Sequence, residues 1–183
     1  VSRKSIEAVN YNRGVKFAHM DKVVSFLWAA IYKVSFQSLR IVFTITKVRL
    51  KGALVAIWHE GRILLVKKSY RERWSVPGGM VKKGETWKQA AVRETVEEVG
   101  LQIHEKDLMF IAEVTGDLGP CDRPHLFQVE VYDPVDIEID GREIRIAEFV
   151  EPEEAVKRAL DENLRYYLHN KIAVLEKSLK FMG

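Results

Sequence analysis

The sequence predicts an α/β fold, a mixed sheet with helices on both faces, preceded by an N-terminal helical extension. Three observations carry this. Apolar runs of strand length recur between residues 53 and 150, two later stretches have helical periodicity, and a long apolar segment precedes them all. At 183 residues and 47% hydrophobic the chain suffices for one domain with its own core. We place that domain at residues 51–183 and the extension at residues 1–50.

Taken in order, the segment Val23 to Ile45, VVSFLWAAIYKVSFQSLRIVFTI, is apolar enough to need burial, yet Lys33, Gln37 and Arg40 make it a poor membrane span. On a helix, Phe26, Ala30, Lys33, Gln37 and Arg40 fall on one side and leave a broad apolar remainder. Three fates compete for it. It can pack on its own domain, lie on a membrane surface with Lys47, Arg49 and Lys51 near the head groups, or pack on a second copy. We expect a homodimer in which this segment crosses to or exchanges with the partner.

Ala53 to Ile57 and Ile63 to Lys67 read as strands of a hairpin turning at His59-Glu60-Gly61. Thr86 is a helix N-cap and Gln89, three positions on, completes a capping box, so a helix begins at Trp87 and stops near Gly100. Within it Val92, Val96 and Val99 share one face, and Glu94, Glu97 and Glu98 the opposite one. Further strands are expected at Leu108 to Val114, Leu126 to Tyr132 and Ile144 to Val150. Leu164, Leu168, Ile172, Leu175 and Leu179 then mark an amphipathic C-terminal helix, preceded by a shorter one from Pro152.

Composition narrows the function. With 29 Lys and Arg against 26 Asp and Glu, the net charge of +3 suits an anionic substrate and a nucleic acid alike. The basic residues are scattered among the acids and form no stripe with interleaved aromatics, so no specific nucleic-acid partner is expected. Cys121 is the only cysteine, which excludes an intrachain disulfide, and the five histidines lack zinc-ligand spacing. The opening residues VSRKSIEAVNYNRG show no secretory pattern, so a cytoplasmic location is expected.

The chemistry lies in PGGMVKKGETWKQAAVRETVEEVGL, Pro77 to Leu101. Glutamates three and four apart on a helix repel, at a cost of a few tenths of a kcal/mol per pair. A hard cation turns that repulsion into ligation, because Mg²⁺ takes carboxylate, water and phosphate oxygens. From Gly79 the segment reads Gly, five residues, Glu85, seven residues, Arg93-Glu94, then Glu97-Glu98, Gly100 and Leu101. This resembles the Nudix box, G-x5-E-x7-R-E-U-x-E-E-x-G-U with U apolar, and only Thr95 departs from it.

The resemblance extends from about Lys51 to the C-terminus and implies the Nudix α/β/α sandwich. It further implies a hydrolase dependent on Mg²⁺ or Mn²⁺ that cleaves the diphosphate linkage of a nucleoside diphosphate derivative. Glu94, Glu97, Glu98 and the Gly78 carbonyl would be the metal ligands, with Glu94 and Glu98 also catalytic. Gly79 and the ion pair of Glu85 with Arg93 would support the loop. The segment Lys67 to Gly79 is similar to the family's strand and loop before the diglycine, and there Arg71 and Arg73 are the candidates for phosphate contact. Ile139 to Ala155 is similar to its acidic loop, where Glu143 is the candidate base or extra ligand. A nucleotide sugar or ADP-ribose-like substrate is expected. The alternatives are a nucleoside triphosphate pyrophosphohydrolase that cleanses the nucleotide pool and a non-catalytic ligand-binding module.

Overall fold

The structure is a computed structural model that describes residues 15–17, 22–132, 135–139 and 141–182, with side chains described within residues 24–173. In chain order its elements are β1 (Val15–Phe17), α1 (Lys22–Thr46), β2 (Gly52–His59), β3 (Arg62–Lys68), β4 (Trp74–Ser75), β5 (Gly78–Met80) and α2 (Trp87–Val99). There follow β6 (Met109–Glu113), β7 (His125–Glu130), β8 (Ile137–Ile139), β9 (Ile144–Val150), α3 (Pro152–Ala155) and α4 (Glu162–Met182).

The expected hairpin is β2 and β3, turned through Glu60 and Gly61 with φ of 48° and 77°. The two strands pair with each other only beside the turn, Trp58 with Ile63 and His59 with Arg62, and then part. β5 takes the free edge of β2 from Gly52 to Leu54, and β4 takes that of β3 at Val66 and Lys67. This inserts the diglycine of β5 into the sheet. β7 runs parallel to β2, with β6 antiparallel outside it, and β9 lies antiparallel to β3. The sheet is therefore mixed, with seven strands among the described residues.

Both faces are covered, which is why β2 and β3 are apolar at almost every step. Ala53, Val55, Ile57, Leu64 and Val66 pack with Ala90, Ala91 and Val99 of α2. The intervening Ala56, Trp58, Ile63 and Leu65 pack with Ala155, Leu160, Leu164 and Leu168 on the other side. There Trp58 Nε1 donates to Tyr167 Oη (2.8 Å), which donates to Gln128 Oε1 (2.6 Å), so both buried polar groups at this contact with α4 have partners.

α2 has the expected capping box at Thr86 and Gln89 and ends on Gly100 in the left-handed conformation. Its buried stripe differs from the expectation: Ala90, Ala91, Thr95, Glu98 and Val99 are buried, whereas Val92 and Val96 are half-buried. Alanines let the helix sit close to the sheet. Thr95, the one departure from the motif, fits because its hydroxyl donates to the Ala91 carbonyl (2.8 Å). Glu98 thus belongs to the buried side rather than to an exposed glutamate face.

α1 is the expected helix, and β1, which the sequence did not suggest, pairs in parallel with β8. Of the three fates weighed for this segment, packing on its own domain is realised through one stripe: Ala29 is buried and Tyr32, Phe36 and Phe43 half-buried. Lys33, Gln37 and Arg40 are exposed, but so are Leu27, Val34, Ile41 and Ile45. Among the described residues no helix is long and apolar enough to cross a membrane.

Candidate active site

Where β2 and β3 part, a cavity of about 440 Å³ opens, bounded at one end by Gly78, Gly79, Lys68, Glu94 and Glu143. Gly78 has φ of 151°, and a Cβ there would overlap the Ala53 carbonyl oxygen and lie 2.8 Å from Leu54 Cα. Only glycine allows this approach to β2. At Gly79 a Cβ would fall 2.5 Å from a Glu94 carboxylate oxygen, so that carboxylate lies directly over the diglycine backbone.

Lys68 is the centre of the polar cluster. Leu64 and Val66 point to the α2 side of the sheet, and Lys68, next on that side, carries an ammonium into it with only 6% of the side chain exposed. That ammonium donates to the Gly78 carbonyl (2.7 Å), pairs with Glu98 and reaches Glu143 (3.2 Å). Glu98, 4% exposed, also accepts from the Gly78 N–H (3.0 Å). Tyr70 Oη donates to Glu143 (2.9 Å).

Burial, the largest single influence, would discharge Lys68, but Glu98, Tyr70 and Glu143 acting together outweigh it and hold the amine protonated. Burial pushes the Glu98 carboxyl up to about 7, against the pull of Lys68. The two directions oppose each other; each charged form stabilises the other at contact distance, so we take the pair as ammonium and carboxylate. The Tyr70 phenol is pushed up to about 12, by burial first, and remains a donor.

Arg93 organises the remaining carboxylates. Its fork meets Glu85 twice (2.7 and 3.0 Å), Glu94 (2.6 Å), Glu97 (3.1 Å) and the Met80 carbonyl (3.0 Å). The Arg93 hydrogen bonds, then the Lys82 N–H, bring the Glu85 carboxyl down to about 2. This ties the loop before α2 to the helix.

Two groups of expected site residues lie apart from the cluster around Lys68. Arg73 is exposed and lines an adjoining hollow with Arg40 and Glu72, away from Glu94 and Glu143. The reason is the reversal between β3 and β4, after which Trp74 packs into the opposite core layer. Arg71 does line the main cavity, paired with Asp117 (2.7 Å) and with its guanidinium over Phe36 (4.8 Å). The triad of Glu94, Glu97 and Glu98 is likewise not assembled as a unit. Glu97 is 51% exposed beside Lys82, and among the described residues no three acidic, histidine or cysteine side chains form a metal-holding group. Each carboxylate instead faces Arg93 or Lys68.

The donor chemistry still suits a hard cation. The Gly78 carbonyl, Glu98 and Glu143 all direct oxygens at the single point held by the Lys68 ammonium, with Glu94 over the adjoining glycine. Lys68 and Tyr70 were not singled out from the sequence. Continuing the alternation Leu64, Val66, Lys68 to its last member would have pointed to the lysine.

With this geometry in place, comparison with known proteins is decisive for the family. Residues 48–171 match the NUDIX domain, and the chain belongs to that family. A Bacillus subtilis (strain 168) protein, named as a candidate 8-oxo-dGTP diphosphatase, is 37% identical over 84 residues. The match covers 42% of this chain and 50% of that protein, so the chain aligns with about half the length of this relative. Among solved structures, a C. elegans Ap4A hydrolase binary complex superposes with a TM-score of 0.58 at 24% identity, covering 69% of this chain and 98% of that one. The E. coli dihydroneopterin triphosphate pyrophosphohydrolase does so with 0.53 at 19% identity, covering 66% and 92%. At such identities the likeness shows the fold.

Proposed function

We propose that this protein hydrolyses the diphosphate linkage of a nucleoside diphosphate derivative with the help of Mg²⁺ or Mn²⁺. The observation that carries the proposal is the meeting of Gly78, Glu98, Lys68 and Glu143 at the end of a cavity large enough for such a ligand. Glu94, Glu98 and the Gly78 carbonyl would hold the metal, with Glu97 as an outer support. When bound, it supplies charge neutralisation on the phosphates and a more acidic water. Lys68 and Arg71 add positive charge on the cavity wall for phosphate oxygens. Glu143, positioned by Tyr70, accepts the proton of the attacking water.

For the substrate we keep a nucleotide sugar or ADP-ribose-like compound as the first reading. The Bacillus relative's name favours a second, a nucleoside triphosphate, and complete retention of the box glutamates speaks against a purely ligand-binding module. Phosphate release from a panel of nucleotide sugars, ADP-ribose and nucleoside triphosphates, with Mg²⁺ and with excess chelator, tests both. In the same assay Glu143→Gln is expected to lower kcat by roughly 10²-fold or more and to flatten the acid limb of the pH–rate profile. An unchanged profile and kcat would move the base elsewhere.

The outward apolar side of α1 also needs a partner, and we propose a second copy of the chain. Light scattering is expected to give twice the 21.1 kDa chain mass. Deletion of the residues before Lys47 should abolish the dimer or the solubility. A monomer that floats with anionic vesicles would assign this face to lipid instead.

A further inference from the structure

One wall of the cavity is built by a segment outside the matched family region. α1 ends at Thr46, before residue 48, yet Trp28, Tyr32, Phe36 and Leu39 line the same cavity as Lys68 and Glu94. Apart from the Ser35 hydroxyl, its contribution there is rings and aliphatic carbon, without a charged side chain. The rings are ordered against one another. Trp28 and Tyr32 have centroids 6.0 Å apart, Tyr32 stacks on Tyr70 at 6.1 Å and 26°, and Phe36 lies 5.0 Å from Tyr70. Tyr70 in turn donates its phenol to Glu143, so the aromatic wall is bonded to the group that flanks the phosphate end.

Such a wall does not suit phosphate, which needs the charged end. It suits a flat conjugated ring, whose faces stack on aromatics whatever the pattern of hydrogen-bonding groups at its edge. A nucleoside diphosphate derivative has both parts in one molecule. We propose that α1 is the base-recognition element of this site, with Tyr32 and Phe36 stacking on the heterocycle while the phosphates lie toward Lys68 and Glu94. The polar end of this inference rests on the function proposed above. The stacking end rests on α1 alone.

Binding, rather than turnover, separates the two. Calorimetric titration of the full chain with ADP, GDP, CDP, UDP and inorganic pyrophosphate, each with Mg²⁺, compares ligands with and without a base. In wild type the nucleotides should bind tighter than pyrophosphate. Tyr32→Leu and Phe36→Leu, which keep bulk and lose the ring, should weaken the tightest nucleotide by about 5- to 100-fold and leave pyrophosphate unchanged. Tyr32→Phe should restore the affinity. Equal affinity of wild type for nucleotides and pyrophosphate, or equal losses for both ligands in the leucine variants, would overturn the proposal. If the nucleotide preference appears and no panel compound is hydrolysed, the hydrolase reading fails while the stacking wall stands.

Discussion

Glu98→Gln is expected to reduce kcat by on the order of 10²- to 10⁴-fold while leaving the protein folded. The amide keeps the length of the side chain and an oxygen for the Gly78 N–H at 3.0 Å. Lys68 keeps the Gly78 carbonyl and Glu143, so its buried ammonium is not stranded. What disappears is the negative charge at the point where Gly78, Glu98 and Glu143 converge, and with it the strongest donor for a divalent cation. Steady-state kinetics beside a melting curve checks this. Full activity in the variant, or wild-type activity surviving excess chelator, would refute the site.

Gly78→Ala is expected to damage both stability and activity, for a reason that is steric rather than chemical. The residue sits at φ of 151°, and the added methyl would overlap the Ala53 carbonyl in the neighbouring strand. A strained backbone angle costs about 1–3 kcal/mol and overpacking another 1–3 kcal/mol. Relieving the overlap must push β5 off β2, which carries the Gly78 carbonyl away from Lys68 and the Gly78 N–H away from Glu98. A melting temperature lowered by roughly 5 °C or more, with activity lost, is the expected outcome. A variant that melts like wild type would show that β5 can shift freely.

The C-terminal glycine of α2, the capping box at Thr86 and the hairpin turn at Glu60-Gly61 were all legible because each depends on residues within a few positions of one another. Local chemistry of this kind survives reading one letter at a time. The pairings of Arg93 with Glu85 and with Glu97 were legible through motif and spacing, and its contact with Glu94 was not, because a guanidinium fork serves several carboxylates at once. The face of α2 was misjudged for a similar reason. Hydrophobicity pointed to the valines, but close approach to the sheet selected Ala91 and Thr95, and Glu98 is buried because Lys68 faces it.

The strands β2, β3, β6, β7 and β9, the caps, the box helix and the residues of the Nudix box were carried by the sequence alone, since periodicity, capping and motif spacing are local properties, whereas the short β1, β4, β5 and β8 were not. It took the tertiary structure to bring Lys68 to the main cavity and Arg73 to the adjoining hollow, to leave Glu97 half exposed beside Lys82, and to make α1 a wall of the cavity. Those outcomes depend on which strand edges part, how β5 fills the gap and where a helix from the far end of the chain comes to rest. Contacts made across dozens of residues leave no period in the sequence from which they could be read.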